Sequence, residues 1–339
     1  KEALAVAKLT REERESIARR RIISVLRQQG VANLRTLEQK IADAGPNDQR
    51  IQPHIITPAK NALVDEGRII QFNRNGQWFH LADESPDRVA RRMAELQALW
   101  SSFTTPQIVR RTGQALEIAI FRALVASPSS TPFGGFSDLG QHDDATLYTK
   151  REIQDLNGLS LGQRALDFII ACGGDYCGIE AKNIRPWLYP HDRDITEAIE
   201  KARILDVVPV IIARRIHFST FKVLTACGVI VHQTFNQRMA TTDAELAAAV
   251  AHKDALGYHD IRVGNDPDPR LTRFIDTHLP PLVPQARTRL RENGDLLDAY
   301  AKRLMAYPEF AGRLRRRRLG LNEDRDGRED PDVDPYDEE

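Results

Sequence analysis

Ala165-Leu166-Asp167-Phe168-Ile169-Ile170-Ala171-Cys172-Gly173-Gly174-Asp175-Tyr176-Cys177-Gly178-Ile179-Glu180-Ala181-Lys182 is the stretch that decides the fold. Two β-prone apolar runs, Ala165–Ala171 and Tyr176–Lys182, flank a Gly-Gly pair suited to a two-residue hairpin turn. Three polar side chains, Asp167, Glu180 and Lys182, interrupt those runs. Such placement costs stability unless something offsets it. Side chains alternate along a strand, so Glu180 and Lys182 share a face. A two-residue turn at Gly173-Gly174 sets Asp167 directly across from Glu180, with Cβ atoms about 5 Å apart. Carboxylates that close repel unless a cation lies between them or one is protonated. A hard-oxygen pair suits Mg²⁺ or Mn²⁺ better than zinc. Beside such a metal, Lys182 can orient or deprotonate an attacking water and stabilise the charge on a pentavalent phosphate.

The flanking sequence supplies a frame for this hairpin. A helix is expected over Gln107–Ala126, then a Gly/Pro/Ser-rich loop over Ser127–Gly140 and a strand near Ala145–Lys150. After Lys182 come a helix over Ile195–Leu205, a strand over Val207–Ala213, a short helix over Ser219–Cys227 and a strand over Val229–His232. The order αβββαβαβ predicts an α/β sandwich with a mixed sheet.

Asp167, twelve intervening residues and Glu180-Ala181-Lys182 together resemble the signature of the PD-(D/E)xK nuclease superfamily, the restriction-endonuclease-like fold. Leu166 stands in place of the leading Pro. Glu117, in Gly113-Gln114-Ala115-Leu116-Glu117, matches the additional acidic residue that many members carry on the preceding helix. Val207-Val208-Pro209-Val210-Ile211 resembles the core strand of the archaeal Holliday-junction resolvase and Mrr branches. The resemblance spans residues 106–235 and implies an αβββαβ core performing metal-dependent hydrolysis of a phosphodiester, with Mg²⁺ or Mn²⁺ as cofactor. It implies that Asp167, Glu180 and the Ala181 carbonyl hold the metal and that Lys182 activates water. Glu117 would hold a second metal, or a water on the first.

Residues 10–82 read as three helices and a hairpin. Ile17, Ile22, Ile23, Val25 and Leu26 give an apolar stripe over Glu12–Gln29, stopped by Gly30. Asn33 can cap a second helix through Leu34, Leu37 and Ile41, ended by Gly45-Pro46. A third is expected over Thr57–Glu66 with Pro58 in its first turn. The runs Ile69–Phe72 and Gln77–Leu81 around Asn73-Arg74-Asn75-Gly76 form a hairpin signal. This order resembles a winged helix-turn-helix, which implies DNA contact through Thr57, Lys60, Asn61 and Arg68 and through Arg74 on the wing. A module that docks protein or dimerises the chain fits the same pattern.

A linker helix is expected over residues 83–105 and further helices over 236–319, at Thr242–Ala251, Leu271–Leu279 and Pro284–Met305. The 48 basic and 48 acidic residues cancel, yet ten acidic residues and two arginines lie in Leu321–Glu339. The body is therefore basic, and residues 320–339 read as a disordered acidic tail. Arg315, Arg316, Arg317 and Arg318 just before it form a phosphate-binding footprint, or else a solvated helix end. Gln163, Arg164, Asn183 and Arg185 bracket the two strands and are further candidates for DNA contact. Trp187 and Tyr189 are able to stack on bases, or simply pack under a loop. His142-Asp143-Asp144 offers another metal ligand or a solvated turn.

Other classes find no support. Three cysteines make neither a disulfide framework nor a four-ligand zinc site and read as reduced thiols. No run approaches the ~18 apolar residues of a membrane span, and no charged-then-apolar leader opens the sequence, so a cytoplasmic location is expected. No Gly-x4-Gly-Lys loop and no Ser/His/Asp arrangement is found. The reading is a Mg²⁺-dependent endodeoxyribonuclease placed on DNA by a winged helix, in DNA defence, restriction or repair. Two cuts on opposite strands call for two sites, hence a homodimer. The alternatives are a non-catalytic DNA-binding or assembly subunit, and a nuclease active only with partner proteins of a multi-subunit system.

Overall fold

The computed structural model describes residues 9–42, 51–139 and 147–322. Gly45-Pro46, His142-Asp143-Asp144, the first residues of the strand expected near Ala145 and nearly all of the acidic tail lie outside these. The molecule is mixed α/β, and its chain divides into two units.

The first unit comprises the described residues up to Val109 together with Asp243–Ile261. Helix α1 (Arg11–Gln29) opens with a capping box. Thr10 Oγ1 accepts the Glu13 amide at 3.2 Å, and Glu13 Oε2 accepts the Thr10 amide at 2.7 Å. Strand β1 (Ala32–Asn33) leads into α2 (Leu34–Ala42), whose first turn is capped by Asn33 Oδ1 accepting the Thr36 amide at 2.7 Å. Helix α3 (Pro53–Asp65) starts one turn earlier than Thr57, because Pro53 rather than Pro58 takes the first helical position. Strands β2 (Ile69–Asn73) and β3 (Gln77–Leu81) form the expected hairpin, and β1 adds antiparallel to β3, giving the sheet order β1-β3-β2. Ile22, Leu26, Leu37, Ile41, Ile56, Leu63, Trp78 and Phe79 fill the core. Helix α4 (Pro86–Phe103) covers the stretch expected as a linker helix.

The second unit takes in the rest of the chain, beginning within α5 (Pro106–Ala126). Residues 127–140 are not all loop, since β4 (Ser130–Phe133) and β5 (Gly135–Phe136) lie within them. Of the strand expected near Ala145–Lys150, the described residues place Lys150 in β6 (Lys150–Arg151), paired with β5 outside the main sheet. A small hairpin of β7 (Asp155–Leu156) and β8 (Leu159–Ser160) follows. Then come β9 (Phe168–Cys172), β10 (Asp175–Lys182), α6 (Arg193–Ile204), β11 (Val208–Ala213), α7 (Phe218–Ala226) and β12 (Ile230–Gln233). The main sheet runs β12-β11-β10-β9-β4. Its pairs β10–β11 and β11–β12 are parallel across the α6 and α7 crossovers, and the other two pairs are antiparallel. The sheet is mixed, as the element order predicts.

The Gly173-Gly174 turn sets the register. Both residues adopt positive φ, 62° and 81°, as a tight hairpin turn of this hand requires. A Cβ on Gly173 would stand 2.5 Å from the Pro280 carbonyl oxygen, so this position is also closed sterically. The ladder pairs Cys172 with Asp175 and ends at Phe168 opposite Ile179, one step before Asp167 and Glu180.

Parity sorts the two faces of the hairpin. Phe168, Ile170, Cys172, Cys177 and Ile179 join a large apolar cluster with Leu116, Ala119, Ile120 and Ala123 of α5. Ile169, of the other parity, joins a smaller cluster with Leu166 just before β9 and with Ala202, Leu205 and Val207. Glu180 and Lys182 belong to that second face. Two helices, Pro269–Arg273 and Leu279–Ala301, flank a single π-helical turn at Phe274–His278. The longer one contributes Val283, Ala286, Leu290 and Leu297 to the large cluster. A last helix, Tyr307–Arg318, adds Tyr307, Phe310 and Leu314. The helix Ala244–Ala251 belongs to the first unit, apart from these.

Candidate active site

Asp167 sits at the foot of β9 and Glu180 near the end of β10. Asp167 Oδ2 accepts the Ala181 amide at 2.7 Å, which fixes the carboxylate against the neighbouring strand. Lys182, two residues beyond Glu180 on the same face, places Nζ 3.0 Å from Glu180 Oε1 and 3.0 Å from Asp194 Oδ1 of α6. Glu117 projects from α5 toward the same end of the hairpin, where it and Asp167 share one ammonium. Lys150 Nζ of β6 lies 2.6 Å from Glu117 Oε2 and 2.8 Å from Asp167 Oδ1. It lies 3.0 Å from Glu152 Oε1 as well. Lys201 of α6 completes the group, with Nζ 2.6 Å from Glu180 Oε2 and donating to the Ala165 carbonyl at 2.8 Å.

The electrostatics follow from this crowding. Burial, then the charge of Asp167, pushes the Glu117 carboxyl up to about 7 against the pull of Lys150. Glu180 is shifted upward for the same two reasons, with Lys182 and Lys201 opposing. Burial works against the charge on Lys150, but Asp167 and Glu117 outweigh it and raise its pKa. For Lys182, burial is likewise outweighed by Glu180 and Asp194. All three lysine ammoniums are engaged by carboxylates.

A divalent metal suits the chemistry of this donor set. Glu117 Oε2 and Asp167 Oδ1 already converge on one cation, so two hard oxygens are aimed at a single point. Among the described residues, however, no three His, Cys, Asp or Glu side chains stand close enough together to hold a metal. Lysines occupy the spaces between them.

Four of the sequence-selected residues, Glu117, Asp167, Glu180 and Lys182, therefore meet at one end of the sheet, with Ala181 bonded to Asp167. Lys150, Lys201, Asp194 and Glu152 join them from outside the motif. A signal existed for two of them: Asp194 and Lys201 are seven apart on one helix and so share its face. Lys150 carried no such signal, since its position depends on the chain folding back through β5 and β6.

The residues selected for DNA contact divide. Thr57, Asn61, Arg68 and Arg74 are exposed, and Arg68 lines a groove with Arg19, Arg20 and Arg27 of α1. Lys60 is a correction. It falls on the buried stripe Ile56–Ala59–Lys60–Leu63, and its Nζ lies 5.2 Å from the centroid of the Phe79 ring. Burial depresses its pKa, and Glu38 counters only in part. Gln163 and Arg164 are exposed, with Arg164 paired to Glu200 at 3.0 Å.

Asn183 and Arg185 are corrections as well. Both are buried, because the chain beyond β10 passes beneath Gln237 and Arg238 instead of opening outward. Asn183 Nδ2 donates to the carbonyls of Thr112 and Arg238, and its Oδ1 accepts the Arg238 amide at 3.0 Å. Arg185 Nη1 donates to Gln237 Oε1 at 3.2 Å. Trp187 packs under Arg215, and Tyr189 stacks on His217 at 4.7 Å between centroids. Arg315 and Arg318 are exposed in the last turn of their helix, Arg316 is half-buried, and Arg317 is held by Asp295 at 2.7 Å.

No helix among the described residues is long and apolar enough to cross a membrane. Comparison of the chain with protein-family models, with curated proteins and with solved structures finds no match.

Proposed function

We propose that this chain is a metal-dependent DNA endonuclease of the PD-(D/E)xK type, with the Asp167–Glu180 hairpin as its active site. The observation that carries the reading is the meeting of Asp167, Glu180, Lys182 and Glu117 at one end of a mixed sheet. Here an acidic pair lies in adjoining register and a lysine shares the face of one member. A bound Mg²⁺ or Mn²⁺ supplies Lewis acidity and a water of lowered pKa. Asp167, Glu180, Glu117 and the Ala181 carbonyl are the groups that would hold it. Lys182 orients the attacking water and offsets charge on the phosphate, and Asp194 keeps its ammonium in place. The first unit carries the duplex-binding role in this reading. Its helix order, with β1 paired to the β2–β3 hairpin, accords with a winged helix, and Arg68, Arg74 and the α1 arginines supply positive charge.

The test is cleavage of supercoiled plasmid, linear duplex, single strand and four-way junction with Mg²⁺ or Mn²⁺, beside Asp167→Ala and Lys182→Ala. Metal-dependent cutting lost in both variants is the expected result, and the preferred substrate identifies the branch. Equal cutting by variants and wild type removes the site assignment. One observation favours a second reading, a DNA-binding or assembly subunit: the site carboxylates are already matched by lysines. Salt-dependent DNA binding without cleavage in any divalent metal would favour that role.

A further inference from the structure

Lys150 has no part in the activity proposed above, yet it occupies the centre of the site. Its side chain is only 9% exposed. The ammonium touches Glu117, Asp167 and Glu152 and rests 5.5 Å from the centroid of the Phe168 ring. The first two of those carboxylates are groups that would hold the metal. Mg²⁺ takes its oxygens at about 2.0–2.1 Å and demands near-octahedral surroundings. An ammonium at hydrogen-bond distance from the same two oxygens fills the space that such an ion needs, and its charge repels the ion.

We propose that Lys150 is a built-in counter-ion that holds Glu117 and Asp167 together in the metal-free protein and must be displaced for a divalent cation to bind. The proposal rests on the nuclease reading of the site. Two features suit Lys150 to leave. It stands on β6, a two-residue strand that among the described residues pairs with the two-residue β5, separate from the main sheet. Its third partner, Glu152, is half exposed at 45%, so a withdrawn ammonium keeps one carboxylate while releasing the other two. Lys182 and Lys201 are held differently: each is bound to Glu180, one from β10 of the main sheet and the other from helix α6. The consequence is a threshold: the carboxylates stay quiet at low metal concentration and open to metal only when the ion outcompetes Lys150.

The experiment uses the full chain and Mn²⁺ alone as the probe. Free Mn²⁺ is followed by electron paramagnetic resonance during titration of wild type, Lys150→Met, Lys150→Gln and Asp167→Asn, and thermal unfolding is measured with and without Mn²⁺. Lys150→Met is expected to bind Mn²⁺ at least tenfold more tightly than wild type. Without metal it leaves two carboxylates facing each other, so its Tm falls, and Mn²⁺ raises that Tm by more than it raises the wild-type value. Should Lys150→Met fail to fold without metal, Lys150→Gln, which keeps a donor but no charge, is expected to show the same tightening. Mn²⁺ binding that is lost in Asp167→Asn yet equal in wild type and both Lys150 variants overturns the counter-ion role and leaves the metal site standing. No Mn²⁺ binding by any of the four proteins overturns both.

Discussion

Asp167 Oδ2 accepts the Ala181 amide at 2.7 Å, so the carboxylate at the foot of one strand is tied to the residue between Glu180 and Lys182 on the next. One oxygen of Asp167 is thereby committed to backbone, and the other is left for Lys150 or for a cation in its place. The relationship depends on the hairpin register. A slip of one residue would turn Asp167 toward the opposite face of the sheet and dissolve the cluster.

The turn that sets this register gives the first prediction. Gly173 has φ 62°, and a Cβ there would meet the Pro280 carbonyl at 2.5 Å. Gly174, at φ 81°, has open space around it. Gly173→Ala is expected to cost about 2–4 kcal/mol, since backbone strain and a clash with main chain add together. Gly174→Asn, which tolerates positive φ, is expected to cost under about 1 kcal/mol. Urea unfolding of both variants checks the contrast, and equal losses would show that the Pro280 contact plays no part.

Glu117 gives a pH-dependent prediction. Its carboxyl, raised from 4.5 to about 7 chiefly by burial and then by Asp167, stays protonated in the folded protein over a range where the unfolded chain has released that proton. Stability therefore declines as pH rises from 4.5 to 7 and remains reduced above that, by at most about 3 kcal/mol. Glu117→Gln cannot ionise and escapes this loss. Its stability relative to wild type, measured in EDTA, is expected to improve between pH 5 and pH 8. An advantage that shrinks with rising pH would mean that pairing with Lys150 dominates over burial.

What was legible in the sequence, and what was not, has physical reasons. The Gly-Gly turn with polar residues in flanking apolar runs was enough to place Asp167 across from Glu180, because hairpin register is a local property. The cap at Asn33 is local in the same way. Strand β4 was hidden by Pro132 and by Gly134-Gly135, which read as loop. A proline is admissible there because β4 is an edge strand, where its missing amide faces no partner. Lys60 falls on the buried stripe through its spacing from Ile56 and Leu63, although a charged side chain there suggests exposure. Its long stem lets the ammonium lie against Phe79. Lys150, unlike Lys182, comes from another element, so no short motif announces it.

The N-terminal unit yields a prediction about DNA. Lys60 is buried, whereas Arg68 and Arg74 are exposed. If this unit binds duplex, Lys60→Met is expected to leave affinity and its salt dependence unchanged. Arg68→Ala and Arg74→Ala are each expected to weaken binding at all sequences and to lower the slope of log affinity against log salt by about 1. Fluorescence anisotropy across a salt series measures this, and a reduced slope for Lys60→Met would contradict the buried placement.

Asn183 separates a structural role from a binding one. Directly after Lys182, it stands where a loop residue would reach for phosphate, but its amide is spent inside the unit. It donates to the carbonyls of Thr112 and Arg238 and accepts the Arg238 amide. Asn183→Ala removes the acceptor of the Arg238 amide and one donor to each of two carbonyls in a buried place, at a cost of about 2–4 kcal/mol. The variant is expected to unfold at lower urea concentration while each folded molecule binds DNA with wild-type affinity and salt slope. Unchanged stability with weakened DNA binding would reverse the assignment and make Asn183 a DNA contact. The same comparison bears on Lys182, since the segment anchored by Asn183 holds the end of β10. A variant that loses this anchor yet keeps the Lys182–Asp194 pair should retain cleavage per folded molecule, which measurement at low temperature, where the fold persists, makes observable.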